Sequence, residues 1–206
     1  MSSSTTILIE HCLLRLGGED SHARSELLTY ARRRLELLAK RMFRRCPQLY
    51  SRVQSDDLLQ EAMIRLWQSV EAVGPTTVAG FMGLAALQMR RALCDLARSH
   101  FGRNPLHTTS EERLSSVHLE IRGRDHAVME DPRNGPEELA CWSELHSAVD
   151  RLPEPDRTAF DLLFYHELPQ SEVAALMQVS VRQVQRYWTS SRIKLGRMMG
   201  DTWPEL

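Results

Sequence analysis

Apolar residues in this chain recur every three or four positions and almost never every second one. That is the period of a helix face, and its persistence commits the chain to an all-α fold. Alternating Val, Ile and Tyr runs are missing and aromatics are only 6% of the 206 residues, so no strand pattern competes. Gly and Pro then divide the period into helices. A first helix covers 5–16 and stops at Gly17-Gly18. A second covers 21–45, ahead of Pro47. Its apolar stripe is Leu27, Leu28, Ala31, Leu35, Leu38 and Met42, with Arg32, Arg33, Arg34, Arg41, Arg44 and Arg45 around it. A third covers 54–73, with Ser55 and Asp56 as candidate caps and Gly74-Pro75 as its stop. A fourth covers 78–99.

The texture then changes. Residues 101–136 hold Gly102, Pro105, Gly123, Pro132, Gly135 and Pro136 among many acidic residues, the composition of a linker, with local helix near 110–119. Helical period returns over 137–152, breaks at Pro153-Glu154-Pro155, and resumes over 156–166. Charge follows the same divisions. Residues 1–104 carry 15 basic and 10 acidic side chains, 105–150 carry 4 and 10, and 151–206 carry 7 and 7. A basic block, an acidic middle and a balanced end point to parts with different surroundings. The expected organisation is an N-terminal helix over 1–20 with no assigned role, a helical domain over 21–103, an acidic linker over 104–136, and a helix-turn-helix domain over 137–200.

Some classes are set aside by the same reading. No apolar run approaches the roughly 20 residues of a membrane span, and residues 1–6 are polar, unlike a signal peptide. Cys12, Cys46, Cys94 and Cys141 are scattered without a Cys-x-x-Cys pair, which fits reduced thiols and a cytoplasmic location. His11, His22, His100, His107, His118, His126, His146 and His166 form neither H-x-x-x-H nor H-E-x-x-H. With no Gly-rich phosphate loop either, the expectation is a protein without metal, cofactor or catalytic residues. The acidic pairs Asp56-Asp57 and Glu137-Glu138 open helices, where the dipole accounts for them.

The most specific local pattern lies at 170–195. Val173, Ala174 and Leu176 pack one short helix inward. Ser180 follows as an N-cap with Gln183 three residues on, a capping box. Val181, Val184, Trp188, Ser191 and Leu195 then fall at spacings of three and four, one buried stripe. The other face offers Arg182, Gln183, Gln185, Arg186 and Thr189, side chains suited to base edges in a major groove. Arg192, Lys194 and Arg197 continue it with positive charge for phosphates. The plainer reading of these residues is a two-helix hairpin with a solvated face. The turn of a helix-turn-helix usually has Gly where this chain has Gln178, a position that asks for a left-handed backbone.

A second stretch, Asp56 to Trp67, reads DDLLQEAMIRLW. By itself it is an amphipathic helix, with Leu58, Leu59, Ala62, Met63, Leu66 and Trp67 on one side and Asp57, Gln60, Glu61 and Arg65 elsewhere. Its neighbours make it informative. After it come Asp95-Leu96-Ala97-Arg98 at the end of a helix, then the linker. A Leu152-Pro153 motif with Arg157 and Phe160 follows, and then the helix-turn-helix. In this order the chain resembles the bacterial extracytoplasmic-function sigma factors, initiation subunits of RNA polymerase, over about 21–103 and 137–197.

The resemblance implies that the D-D-L-L-Q-E helix docks on a coiled coil of the largest polymerase subunit. Asp57, Gln60, Glu61 and Arg65 would then lie on the docking face, with Leu58 and Leu66 supporting it. It implies that 81–98 melts the promoter and reads the minus-ten element, by capturing an unstacked base and tracking the strand. The candidates are Phe81, Gln88, Arg90, Arg91 and Arg98, with His100 and Arg103 beyond them. Many members have a Trp and an R-N-x-A-I-D run there; this chain has Phe81 and Met89-Arg90-Arg91-Ala92-Leu93-Cys94-Asp95. The minus-thirty-five element falls to Arg182, Gln183, Gln185, Arg186, Thr189 and Arg192. The acidic linker would suit a positively lined channel of the polymerase. The implied partners are core RNA polymerase and promoter DNA; an anti-sigma factor is usual in the family, and no residue here identifies one. The rival is a stand-alone regulator binding an operator, which leaves Asp56–Trp67 without a purpose.

Overall fold

The computed structural model describes residues 2–16, 21–44, 55–101 and 136–200. The described residues form eight α-helices and no strand. Four precede the acidic stretch: α1 (Ser2–Leu16), α2 (Ser21–Arg44), α3 (Ser55–Val73) and α4 (Val78–Phe101). Four follow it: α5 (Pro136–Asp150), α6 (Glu154–Phe160), α7 (Gln170–Met177) and α8 (Val181–Met199). The linker expected over 104–136 lies outside the described residues except for Pro136, as do its local helix, Arg103 and Cys46.

The stripes read from the sequence are the surfaces that pack. Leu27, Leu28, Ala31, Leu35, Leu38 and Met42 of α2 are all buried, and so are Leu58, Leu59, Ala62 and Leu66 of α3. Helix α3 stops where Gly74 turns left-handed (φ 60°), its amide donating to the Val70 carbonyl at 3.0 Å. Helix α4 starts three residues past Pro75, with the Thr77 hydroxyl accepting from the Gly80 amide at 3.1 Å. It packs along α3 and has residues buried along its whole length, which suits a helix wedged between neighbours on several sides.

Helix α6 does not end as an ordinary helix. It widens into a π turn over Asp161–Tyr165, where the His166 amide reaches back five residues to the Asp161 carbonyl at 3.1 Å. The wider turn brings Asp161, Leu162, Phe164, Tyr165 and His166 all inside. Phe160 stacks on Phe164 (ring centres 4.8 Å apart) and on Trp188 of α8 (5.5 Å). The two sets of helices do not stand apart: one buried apolar cluster runs from Ile9 of α1 to Met199 of α8, and α4 packs on α5 and on the π turn.

Candidate nucleic-acid interface

Helices α7 and α8 are set by their caps. Pro169 opens α7, and Gln178 closes it in the left-handed region (φ 55°, ψ 41°). The Val179 amide then bonds the Ala174 carbonyl at 3.0 Å and the Gln178 amide the Ala175 carbonyl at 3.3 Å, a Schellman close made without glycine. Two residues on, the Ser180 hydroxyl accepts from the Gln183 amide at 3.2 Å, the N-cap the sequence indicates. The turn therefore has three residues, and α8 leaves it with its apolar side held down. Val184, Ser191, Leu195 and Met199 are buried, with Trp188 half-buried against the core. Val181, expected on that stripe, is instead 41% exposed, at the first residue of α8.

The opposite side of α8 is a shallow concavity lined by Arg182, Gln185, Arg186, Thr189, Ile193 and Arg197. Arg182, Gln185, Arg186, Thr189 and Arg192 are exposed, while Gln183 is half-buried with its amide on the cap. A helix offering Arg and Gln in adjacent turns, free of the core, can lie in a major groove and pair with guanine and adenine edges. One of these groups is already oriented: Nε2 of Gln185 donates to Oε1 of Gln170, at the start of α7, over 3.0 Å. Two cationic groups have neighbours within the protein. Lys194 is bound to Asp156 of α6, which also accepts from the Ser190 hydroxyl at 3.1 Å, so its charge is spent within the protein. The Arg192 guanidinium lies 5.9 Å from the centre of the Trp188 ring.

Residues 142–195 match the family model of sigma-70, region 4. The match begins at Trp142 in α5, takes in α6, the π turn and α7, and ends at Leu195 in α8. Region 4 is a DNA-binding segment of helix-turn-helix type and not a catalytic one, which agrees with the cap, turn and face just described. No curated protein matches the chain. The region 4 match stops short of α1–α4, so the docking and minus-ten expectations rest on where the structure places their residues.

On α3, Asp57 and Gln60 are exposed and Glu61 and Arg65 half-buried. Arg65 bridges its own helix to the next: Nε meets Glu61 at 2.9 Å and Nη1 meets Asp95 of α4 at 2.6 Å. Leu58 and Leu66 are core residues, 0% and 1% exposed, and act on this face only from behind. On α4 the minus-ten candidates divide. Arg91 and Arg98 are exposed, Arg98 in contact with Asp95 at 2.7 Å. Phe81, Gln88 and Arg90 are buried, and in this arrangement they face protein, not DNA. For Arg90 the reason is its pairing with Asp150 and Asp161, which no local pattern announces; Phe81 and Gln88 lie on the other side of α4 from Arg90. The side chain of His100 lies outside the described residues.

The partners of Arg90 are residues that sequence reading missed. Nη2 meets Asp150 at 2.7 Å and Nη1 meets Asp161 at 2.5 Å, with Arg90 1% and Asp161 2% exposed. The two carboxylates hold this guanidinium charged, its pKa raised above the ordinary value against the opposing effect of burial. Nearby, His166 donates from Nε2 to the Met82 carbonyl at 3.0 Å. Two polar residues on 156–166 break the apolar period at Asp161 and His166; that irregularity is the only sequence signal they give. Among the described residues no group of His, Cys, Asp and Glu could hold a metal ion, and no helix is long and apolar enough to cross a membrane.

Proposed function

We propose that this protein is a sigma factor of the extracytoplasmic-function kind. It binds core RNA polymerase and directs it to a particular set of promoters. In this reading α8 enters the major groove at the minus-thirty-five element. Arg182, Gln185 and Arg186 meet bases, while Thr189, Arg192 and Arg197 meet the backbone. Helix α3 docks on the polymerase through Asp57, Gln60 and Glu61, with Arg65 fixing the position of Glu61. Helix α4 takes the minus-ten strand with Arg91 and Arg98, the exposed two of its five candidates. The protein makes and breaks no covalent bonds; it positions DNA for the polymerase, in the cytoplasm where the polymerase works.

The observation that carries this reading is the exposed, core-independent Arg/Gln face of α8 inside a segment that matches sigma-70 region 4. The near-neutral net charge of −1 fits a subunit whose DNA affinity arises within the polymerase complex. Gel filtration with bacterial core polymerase tests it, using wild type and an Asp57→Lys/Glu61→Lys variant. Wild type co-elutes with the polymerase, and the variant elutes separately while keeping its helical circular dichroism. Wild type that stays apart from polymerase at low salt, yet binds DNA tightly unaided, establishes the stand-alone regulator instead.

A further inference from the structure

We infer that Val181, at the start of α8, reads thymine: its methyl groups pack on the C5-methyl of a thymine at or next to the base pair that Gln185 contacts. The inference rests on α8 being a DNA-reading helix and adds an apolar contact to the polar ones assigned to it.

Position comes first. Val181 is the first residue of α8 and follows the Ser180 cap. The N-terminal residues of a recognition helix are the ones that contact base edges. Three large apolar side chains of α8 are exposed: Val181 (41%), Ile193 (50%) and Met198 (38%). At 1.5 Å per residue, Ile193 lies about 18 Å further along the axis and Met198 about 25 Å. Only Val181 stands at the end that enters the groove.

Its neighbour says what it meets there. Four residues at 100° each leave Val181 about 40° around the helix from Gln185, and side chains so spaced stand about 5–6 Å apart. Base pairs are stacked about 3.4 Å apart. Val181 therefore falls on the pair that Gln185 reads or on the adjoining one. Gln185 is itself fixed by Gln170, whose Oε1 accepts from its Nε2 at 3.0 Å. That leaves Gln185 the one N–H and the oxygen that adenine requires. An adenine brings a thymine on the opposite strand of the same pair. The C5-methyl of thymine is the apolar group that the major groove presents.

The fold makes little use of Val181. Val184, Ser191 and Leu195 seat the helix in the core. The cap joins the Ser180 hydroxyl to the Gln183 amide at 3.2 Å, without the Val181 side chain. Its methyl groups are free to leave water against another methyl, which is favourable wherever apolar surface is buried.

Deoxyuridine in place of thymine removes that methyl and nothing else. Duplexes are first selected from a randomised pool by the full-length protein, alone and with bacterial core polymerase. The adenine preference lost in Gln185→Ala locates the pair. Each thymine of the selected duplex is then replaced in turn. At one thymine within a base pair of that adenine, deoxyuridine should weaken wild-type binding about fourfold, the worth of one buried methyl. Val181→Ala is expected to keep its helical circular dichroism and to bind the two duplexes equally. Val181→Thr, which keeps one of the two methyl groups, should retain part of the preference. A wild type indifferent to deoxyuridine at every thymine overturns the inference, and so does a full fourfold loss in Val181→Ala. Polymerase separates this from the sigma reading. Selection by the free chain that polymerase leaves unchanged, with the fourfold effect present, keeps Val181 and removes the sigma reading. Selection that requires polymerase, with no deoxyuridine effect, does the reverse. A protein that selects no sequence in either form removes both.

Discussion

Gln178 holds a backbone conformation that glycine adopts at no cost and other residues adopt at roughly 1 kcal/mol. Its side chain is exposed, so nothing visible repays that strain. Gln178→Gly is therefore expected to stabilise the fold by about 1 kcal/mol in urea unfolding. Gln170 offers a different test. By accepting from Gln185 it fixes which way that amide points, leaving one N–H and the amide oxygen for an adenine edge. Gln170→Ala should leave stability unchanged but lower the preference for adenine over other bases opposite Gln185, by about 1 kcal/mol. Promoter binding measured across the four bases at that position checks it; an equal loss at all four would mean that Gln170 serves the phosphates. Neither effect could be read from periodicity alone. The need for a left-handed turn at Gln178 was legible, because the motif demands it. The Gln170 contact was not, because it joins side chains fifteen residues apart.

At the scale of helices, the sequence is legible wherever a helix has one wet side and one dry side. Helix α2 buries the stripe its spacing indicates; α3 and α8 do so with Met63, Trp67 and Trp188 only half-buried and Val181 exposed. Leu66→Ala in α3 is expected to cost about 2–5 kcal/mol, since the side chain is wholly enclosed and its neighbours are held by other helices. Thermal unfolding measures this, and a cost below 1 kcal/mol would mean that α3 is loosely seated. Helix α4 is where such reading stops. A charged or amide side chain reads as surface, so Gln88 and Arg90 looked available. The burial of Arg90 is decided by α5 and the π turn, through partners 60 and 71 residues away. The π turn itself is equally opaque, because an extra residue per turn leaves no compositional mark on DLLFY.

Across the molecule, His166 ties region 4 to α4, and its titration reports on that junction. Burial holds the imidazole neutral, pushing its pKa down to about 4; Arg34, Arg41 and Arg90 add to this and the bond to Met82 opposes it. An unfolded histidine takes its proton near 6.5. The His166 contribution is thus complete above about pH 6.5 and is lost as pH falls toward 4. Asp161 acts with the opposite sign: burial pushes its carboxyl up to about 6 despite Arg90, so lowering the pH relieves the penalty on its ionised form. A single wild-type pH profile mixes the two. Comparison with His166→Gln, which keeps an N–H for Met82, isolates the imidazole. Between pH 7 and pH 5 wild type should lose about 2 kcal/mol more than the variant in urea unfolding. Equal losses would mean that water reaches His166.

The division of α8 into a buried row and an exposed row also bears on descent. Val184, Ser191 and Leu195 hold the helix in place, while Arg182, Gln185, Arg186 and Thr189 contribute no core contact. Substitutions on such an outer row shift stability by about 0.5 kcal/mol or less. A gene copy could therefore change its DNA target one base at a time, each intermediate still folding, and new regulons could arise without new scaffolds.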